Sequence, residues 1–445
     1  MIASCFFYMF FKPEYILILA FTIVVDYFAG ILIAAAADPA LRKQYLLLSL
    51  IANIGTLAVF KYYNFLNYNI TGLGSLLGFN NQLPYLKMLL PIGLSFHTFQ
   101  AMSYTIEVYR GNFKPERHFG IYALYVMFYP QLVAGPIERP QNILPQFHEK
   151  KYFNYDRVIS GLKLMLYGFF KKIVISDRLS IYVDSVYKTP DAHHGFQVII
   201  AVFFFAFQIY CDFSGYTDIA RGAARVMGFE LMKNFDYPFT SKSITEYWRR
   251  WHISLSTWFN DYLFTPIVIN KRDWGKASVV FALFVTFFIS GLWHGAGWTF
   301  IVWGLLHAVA STYEFLTKKF RIKMSKTIPA SIYGPLSVGL VFLFLLFSWI
   351  FFRANNIQDA FTIIKNSLID LKNTTGAFYD KRYHFLLILC FILLESIWRK
   401  KDELKTSFYG MNLKPALQLS YYSILFWFII IWGVFDNKSF IYFQF

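Results

Sequence analysis

The sequence predicts an all-α polytopic membrane protein, and three observations carry that prediction. Only 15% of the 445 residues are charged, while 57% are hydrophobic and 21% aromatic; an ordinary soluble domain carries about a quarter charged residues. Apolar stretches of about 20 residues, each long enough to cross a ~30 Å hydrocarbon core, recur from one end of the chain to the other. Between them Lys and Arg collect in short clusters, as they do in loops on the cytoplasmic face. This composition excludes a soluble enzyme. The net charge of +16 belongs first to those loops, and with no Lys/Arg-rich tail or nucleic-acid motif, nucleic acid is not an expected partner.

In chain order the apolar stretches run over 14–36, 42–66, 86–108, 119–136, 157–187, 195–213, 276–293, 297–317, 332–352, 383–398 and 416–435. That makes about ten or eleven membrane segments. Residues 1–11 are apolar but too short to span, and they lack the charged start of a signal peptide. Arg42 and Lys43, the Arg110, Lys114, Arg117 group, the arginines from Arg221 to Arg272, Lys318 to Lys326, and Arg399 to Lys401 mark the cytoplasm. Counted from these anchors, the Lys381–Arg382 end of the 353–382 loop and the C-terminus fall outside.

The stretch 119–136 has basic loops on both sides and contains Pro130, Gly135 and Pro136. It is expected to enter and return without crossing, because irregular backbone at membrane depth needs protein or a water-filled cavity around it. The region 214–275 holds no good span and is crowded with aromatics, so it reads as interfacial and re-entrant helices. The last ten residues, 436–445, are aromatic where a terminus is ordinarily polar and frayed, which predicts a docked tail. No fixed-period repeat and no matched pair of broken segments appears, against an inverted-repeat transporter. Cys5, Cys211 and Cys390 form no CxxC pair, so neither a disulfide framework nor a metal site is expected.

The chemistry-bearing residues sit where these segments break. Region 276–317 reads as two apolar helices joined at Ser290–Trp298, with His294 at the break. Eighteen residues from Lys276, at ~1.5 Å each, bring it up to ~27 Å inward. An ionisable residue at that depth is a functional hypothesis by default, and imidazole is the commonest general base. The run from Tyr247 to Trp258 places Trp248, Trp251, Leu255 and Trp258 on one face of a helix, with Arg249, Arg250 and His252 elsewhere. Paired guanidiniums suit phosphate recognition, although snorkelling arginines on an interfacial helix would look the same. Asp212 and Asp218 are expected to pair with Arg221 or Arg225 as a structural clamp, and Gln131 to Pro140 to form a cavity wall.

Taken together, the Gln131–Pro140 stretch, the Asp212–Gly222 stretch, the run Trp248 to Ser256, Gly291-Leu292-Trp293-His294-Gly295 and the aromatic C-terminus resemble the membrane-bound O-acyltransferase family. Within it they are most similar to the branch that acetylates alginate, peptidoglycan and related bacterial polysaccharides. The resemblance implies a single domain over 1–445, a ring of helices around a central funnel, residence in the bacterial inner membrane, and a further hydrophobic helix ahead of Met1. It implies an acyl donor, acetyl-coenzyme A, entering from the cytoplasm as a substrate with no bound cofactor or metal. It assigns the catalytic base to His294 and a second polar position to His252; beside it, the reading of the residues makes Arg249, Arg250, Trp251 and Trp293 the candidate donor-binding residues. It also implies a separate extracytoplasmic acyltransferase as partner, a polysaccharide acceptor, and Tyr442 in the tail as an acyl acceptor. Two rivals make different demands. A transporter of a lipid-linked glycan or acyl carrier would use His294 as a proton relay, and a docking scaffold would tolerate its replacement.

Overall fold

The computed structural model describes residues 1–87, 90–371, 374–403, 415–436 and 440, and every described secondary-structure element is helical. Among the described residues six helices are long and apolar enough to cross a membrane: Tyr15–Ala35, Pro39–Leu76, Phe196–Val226, Lys276–His294, Trp298–Leu316 and Ala330–Arg353. The chain is therefore a multi-pass membrane protein. The other apolar stretches are also helical but shorter or more polar. In the stretch at 86–108 the described helix starts at Leu94 and carries His97, Gln100 and Glu107; that at 157–187 carries Lys171, Lys172, Asp177 and Arg178 around a π-helical turn, Phe170–Ser176. The chain forms two compact units, Met1–Gly161 with Ala220–Met232, and Leu162–Ile219 with Lys233–Phe445.

In the first unit, α1 (Tyr15–Ala35) turns into α2 (Pro39–Leu57) through Asp38, whose side chain caps α2 by accepting from the Ala40 N–H at 2.9 Å, with Pro39 in the first turn. Both pack on α3 (Leu94–Arg110). A polar group inside such a bundle must find its partners in the protein, and here the buried Asp26 carboxylate accepts from the Ser49 hydroxyl (2.6 Å) and the Asn53 amide (2.8 and 2.9 Å). The stretch read as entering and returning is α4 (Phe119–Met127), which stops at Phe128 in extended conformation ahead of Pro130. Nine residues reach only about 14 Å, too little to cross. In the following wall segment the fully buried Glu138 accepts from the Met232 N–H at 2.6 Å and from the Asn142 amide.

The second unit contains α5 (Phe196–Val226, up to Ile219), a short pair α6 (Ile244–Arg250) and α7 (Ile253–Phe259), the hairpin α8 (Lys276–His294) and α9 (Trp298–Leu316), and α10 (Ala330–Arg353) against α9. The clamp expected on α5 forms with different cations. Asp218 pairs with Lys171 and Asp212 with Lys172, whereas Arg225 pairs with Glu230 and Arg221 bonds the Leu231 carbonyl. Spacing along one helix favoured the arginines; packing of the neighbouring π-helical turn brings the lysines instead.

Candidate functional site

His294 is the last residue of α8, and the chain returns into α9 after three residues. The return is tight because glycine lets the two backbones touch. A Cβ on Gly304 would lie 2.2 Å from the Phe287 carbonyl oxygen, and one on Gly291 would lie 2.4 Å from that of Phe300. Small residues at such crossings are how membrane helices approach closely. The result is a buried imidazole, 4% exposed, met edge-on by Trp293 (4.9 Å between ring centroids), Trp303 (4.9 Å) and Phe352 (5.2 Å).

His252 joins it across the unit, its ring centroid 6.4 Å from that of His294 and 5.9 Å from that of Trp293. The single helix expected over the Tyr247–Trp258 run is broken here. α6 ends at Arg250, Trp251 is extended, and His252 is left-handed at φ 44°, ψ 53° before α7 begins. A left-handed non-glycine residue costs about 1–2 kcal/mol, so something must hold it. Asn234 does so: its carbonyl accepts from the Ile253 N–H (2.9 Å) and its side-chain oxygen from the Ser254 N–H (3.0 Å), while the Asp236 N–H donates to the Arg250 carbonyl (2.9 Å). His252 is fully buried, edge-on to Phe213 at 4.6 Å. Burial pushes its pKa down to about 3, so the ring is neutral.

The two arginines, successive residues of α6, have separate fates. Arg250 is committed to Glu246 (3.0 Å) and Asp236 (3.5 Å). Arg249 is exposed, lines a cavity of about 590 Å³, and has no ion-pair or hydrogen-bond partner among the described residues. That cavity runs along α7 and the π-helical turn after it, Asn260–Phe264, against α8 and α9; Trp248, Phe287 and Ser290 are in its wall. Neither histidine lines it, but Ser290 precedes His294 by one turn of α8, about 6 Å of rise. Trp251 lies outside this lining too, buried against Tyr247, Phe235 and Trp349 (5.5, 5.0 and 5.5 Å). Trp293 touches both histidines, 5.9 Å from His252 and 4.9 Å from His294 between ring centroids.

Phe440 reaches the same place. Phe440 is buried against Tyr216 (5.0 Å) and Phe213 (5.8 Å), the ring that backs His252. Tyr442 lies outside the described residues. One residue escaped the sequence reading: His307, fully buried in α9, whose Nδ1 accepts the Trp248 indole N–H at 3.3 Å. The rule that singles out His294, a histidine inside an apolar span, applies to it equally.

The family model described as membrane-bound O-acyltransferase family matches residues 43–353. A peptidoglycan O-acetyltransferase of Helicobacter pylori is 34% identical over 397 residues, covering 82% of this chain and 72% of its own. A probable alginate O-acetylase AlgI of Pseudomonas aeruginosa is 35% identical over 422 residues, covering 91% and 78%. A teichoic acid D-alanyltransferase of Bacillus subtilis is 30% identical over 239 residues, covering 51% and 60%.

Proposed function

This chain belongs to the membrane-bound O-acyltransferase family, and from that premise we propose that it moves an acetyl group from cytoplasmic acetyl-coenzyme A across a bacterial inner membrane for O-acetylation of an extracytoplasmic polysaccharide. The observation that carries the reading is the placement of buried His294 one helical turn beyond the wall of a cavity lined by an uncommitted arginine. In this reading Arg249 holds donor phosphates through charge-assisted bonds, and the acyl arm runs along α7 and α8 toward His294.

The chemistry balances with the residues at hand. His294 takes the proton of an acceptor hydroxyl as that oxygen bonds to the thioester carbon; the carbon–sulfur bond then breaks, and the imidazolium returns the proton to the departing thiolate. Neutral His252 orients the reacting groups by hydrogen bonding. Rings packed on three sides of His294 favour a two-carbon acyl group over a fatty chain. The Phe440 contact next to His252 supports Tyr442 as the first hydroxyl to receive the acetyl group, from which a separate extracytoplasmic acyltransferase passes it to the glycan. The names of two relatives that each cover most of this chain, one a peptidoglycan and one an alginate acetylating protein, support a glycan hydroxyl as the final acceptor.

The test uses purified protein in liposomes with labelled acetyl-coenzyme A. A general base contributes about 10²–10⁴-fold, so His294→Ala should reduce thioester turnover by that factor while still inserting. Tyr442→Phe should abolish labelling of the protein itself. Wild-type turnover by folded His294→Ala protein overturns the assignment.

A further inference from the structure

His307 stacks on Tyr247 (6.4 Å, 15° between ring planes) and on Phe287 (5.9 Å, 23°). Because its Nδ1 accepts from Trp248, the single proton of the neutral ring must sit on Nε2. That Nε2–H has no acceptor among the described residues, and neither has the indole N–H of Trp303, one turn earlier in α9. Residues four apart share a helix face, and the two rings lie 4.9 Å apart. Trp303 also touches His294 (4.9 Å) and Trp248 (5.9 Å), and Trp248 is in the cavity wall. Two buried N–H donors thus lie in the layer of rings behind Trp248 and Phe287 of the cavity wall, one of them against His294.

A buried donor without an acceptor has given up its hydration for nothing, and such groups call for an explanation. In the acyl-transfer reading above, the group that brings a strong acceptor into this layer is the carbonyl of the acyl thioester. Its oxygen becomes more negative as the hydroxyl adds to the carbon, and donors already in place at that point do not have to reorganise. Resting on that reading, we propose that the Trp303 indole N–H and the His307 Nε2–H form the site that receives the thioester carbonyl oxygen beside His294. Trp248 is then a positioning residue, since its bond to Nδ1 keeps the His307 proton on Nε2.

The test is equilibrium binding of two unreactive coenzyme A analogues to the full chain in nanodiscs. One is the dethia ketone, in which CH₂ replaces the thioester sulfur and the carbonyl stays; the other is S-ethyl-coenzyme A, in which CH₂ replaces the carbonyl. Wild type should prefer the ketone by about tenfold, the worth of a hydrogen bond in a dry site. Trp303→Phe, which keeps a ring and deletes the N–H, and His307→Phe should each bring that ratio toward one. In turnover, Trp303→Phe should lower kcat by about 10²–10³-fold with KM within a few-fold. A purely structural role would reduce the yield of folded protein yet leave the ratio of affinities unchanged, so an unchanged ratio in both folded variants overturns the proposal. A ratio near one in wild type also overturns it and leaves the two groups to a bound water. If folded wild type binds neither analogue, the donor assignment under Proposed function falls first and this inference falls with it.

Discussion

Gly304→Ala probes whether the α8–α9 crossing sets the position of His294. The added methyl would sit 2.2 Å from the Phe287 carbonyl oxygen, against an ordinary contact of at least 3.4 Å. The atom it meets is backbone, which cannot rotate away, so the helices must part by roughly 1.2 Å, the shortfall to ordinary van der Waals distance. Overpacking of this kind costs about 1–3 kcal/mol in stability. The catalytic effect should exceed the stability effect, because Trp303 is the neighbour of Gly304 and His294 ends the opposing helix; a misplacement of about 1 Å can cost 10²-fold in rate. The assay is acetyl-coenzyme A turnover in proteoliposomes, normalised to folded protein, with Gly339→Ala as control. A Cβ at Gly339, in α10, meets nothing within 4 Å, so that variant should keep its rate and gain a few tenths of a kcal/mol, as compatible Gly→Ala changes do. If Gly304→Ala melts earlier yet retains the wild-type kcat, the helix crossing does not position the histidine.

Two further outcomes follow from the site. His252 has a folded pKa of about 3 against an ordinary 6.5, so below pH 6.5 the unfolded chain binds a proton that the folded chain refuses. Its stability contribution is complete above that pH and is lost on acidification toward pH 3, by at most about 1.4 kcal/mol per pH unit. Melting curves at pH 7.5 and 5.0 should therefore show a smaller acid loss for His252→Asn, a residue that tolerates the left-handed conformation, than for wild type; equal losses would contradict the burial argument. For the arginines, Arg249→Ala should raise KM for acetyl-coenzyme A about tenfold or more with kcat nearly unchanged, whereas Arg250→Ala should chiefly lower Tm by removing its bonds to Asp236 and Glu246. Interchanged phenotypes would reverse the assignment of the pair.

How much of this was legible in the sequence depends on where each cause resides. The α8–α9 hairpin and its histidine were readable because apolar length, the glycines and an intramembrane imidazole are local signals. The break at His252 was not, because Trp248, Trp251, Leu255 and Trp258 keep helical spacing and the force that breaks the helix comes from Asn234, eighteen residues earlier. Partner choice failed for a similar reason. Asp212 and Asp218 advertise a clamp, but which cation arrives is decided by the packing of Phe170–Ser176 beside α5. Arg249 and Arg250 are adjacent in sequence and still have separate fates, since successive helical residues point about 100° apart. His307 was missed although its signal was present.

The two histidines are held by unlike means, and that difference bears on how transfer across a membrane is arranged. His294 is fixed by backbone contact between α8 and α9, whose hairpin forms one side of the cavity. His252 is fixed by the Asn234 strap and backed by Phe213, which also touches Phe440. In the proposed reaction the donor approaches through the first set of supports and the acceptor through the second. The two meet only where the imidazoles come within 6.4 Å of one another, ring centre to ring centre. An enzyme whose donor and acceptor belong to opposite sides of a bilayer needs such a meeting point kept closed to water, since water beside the base would compete with the acceptor hydroxyl for the thioester. In that reaction the burial of both rings among tryptophan and phenylalanine supplies the closure, which accounts for so many aromatic residues converging on a site whose chemistry is carried by so few polar atoms.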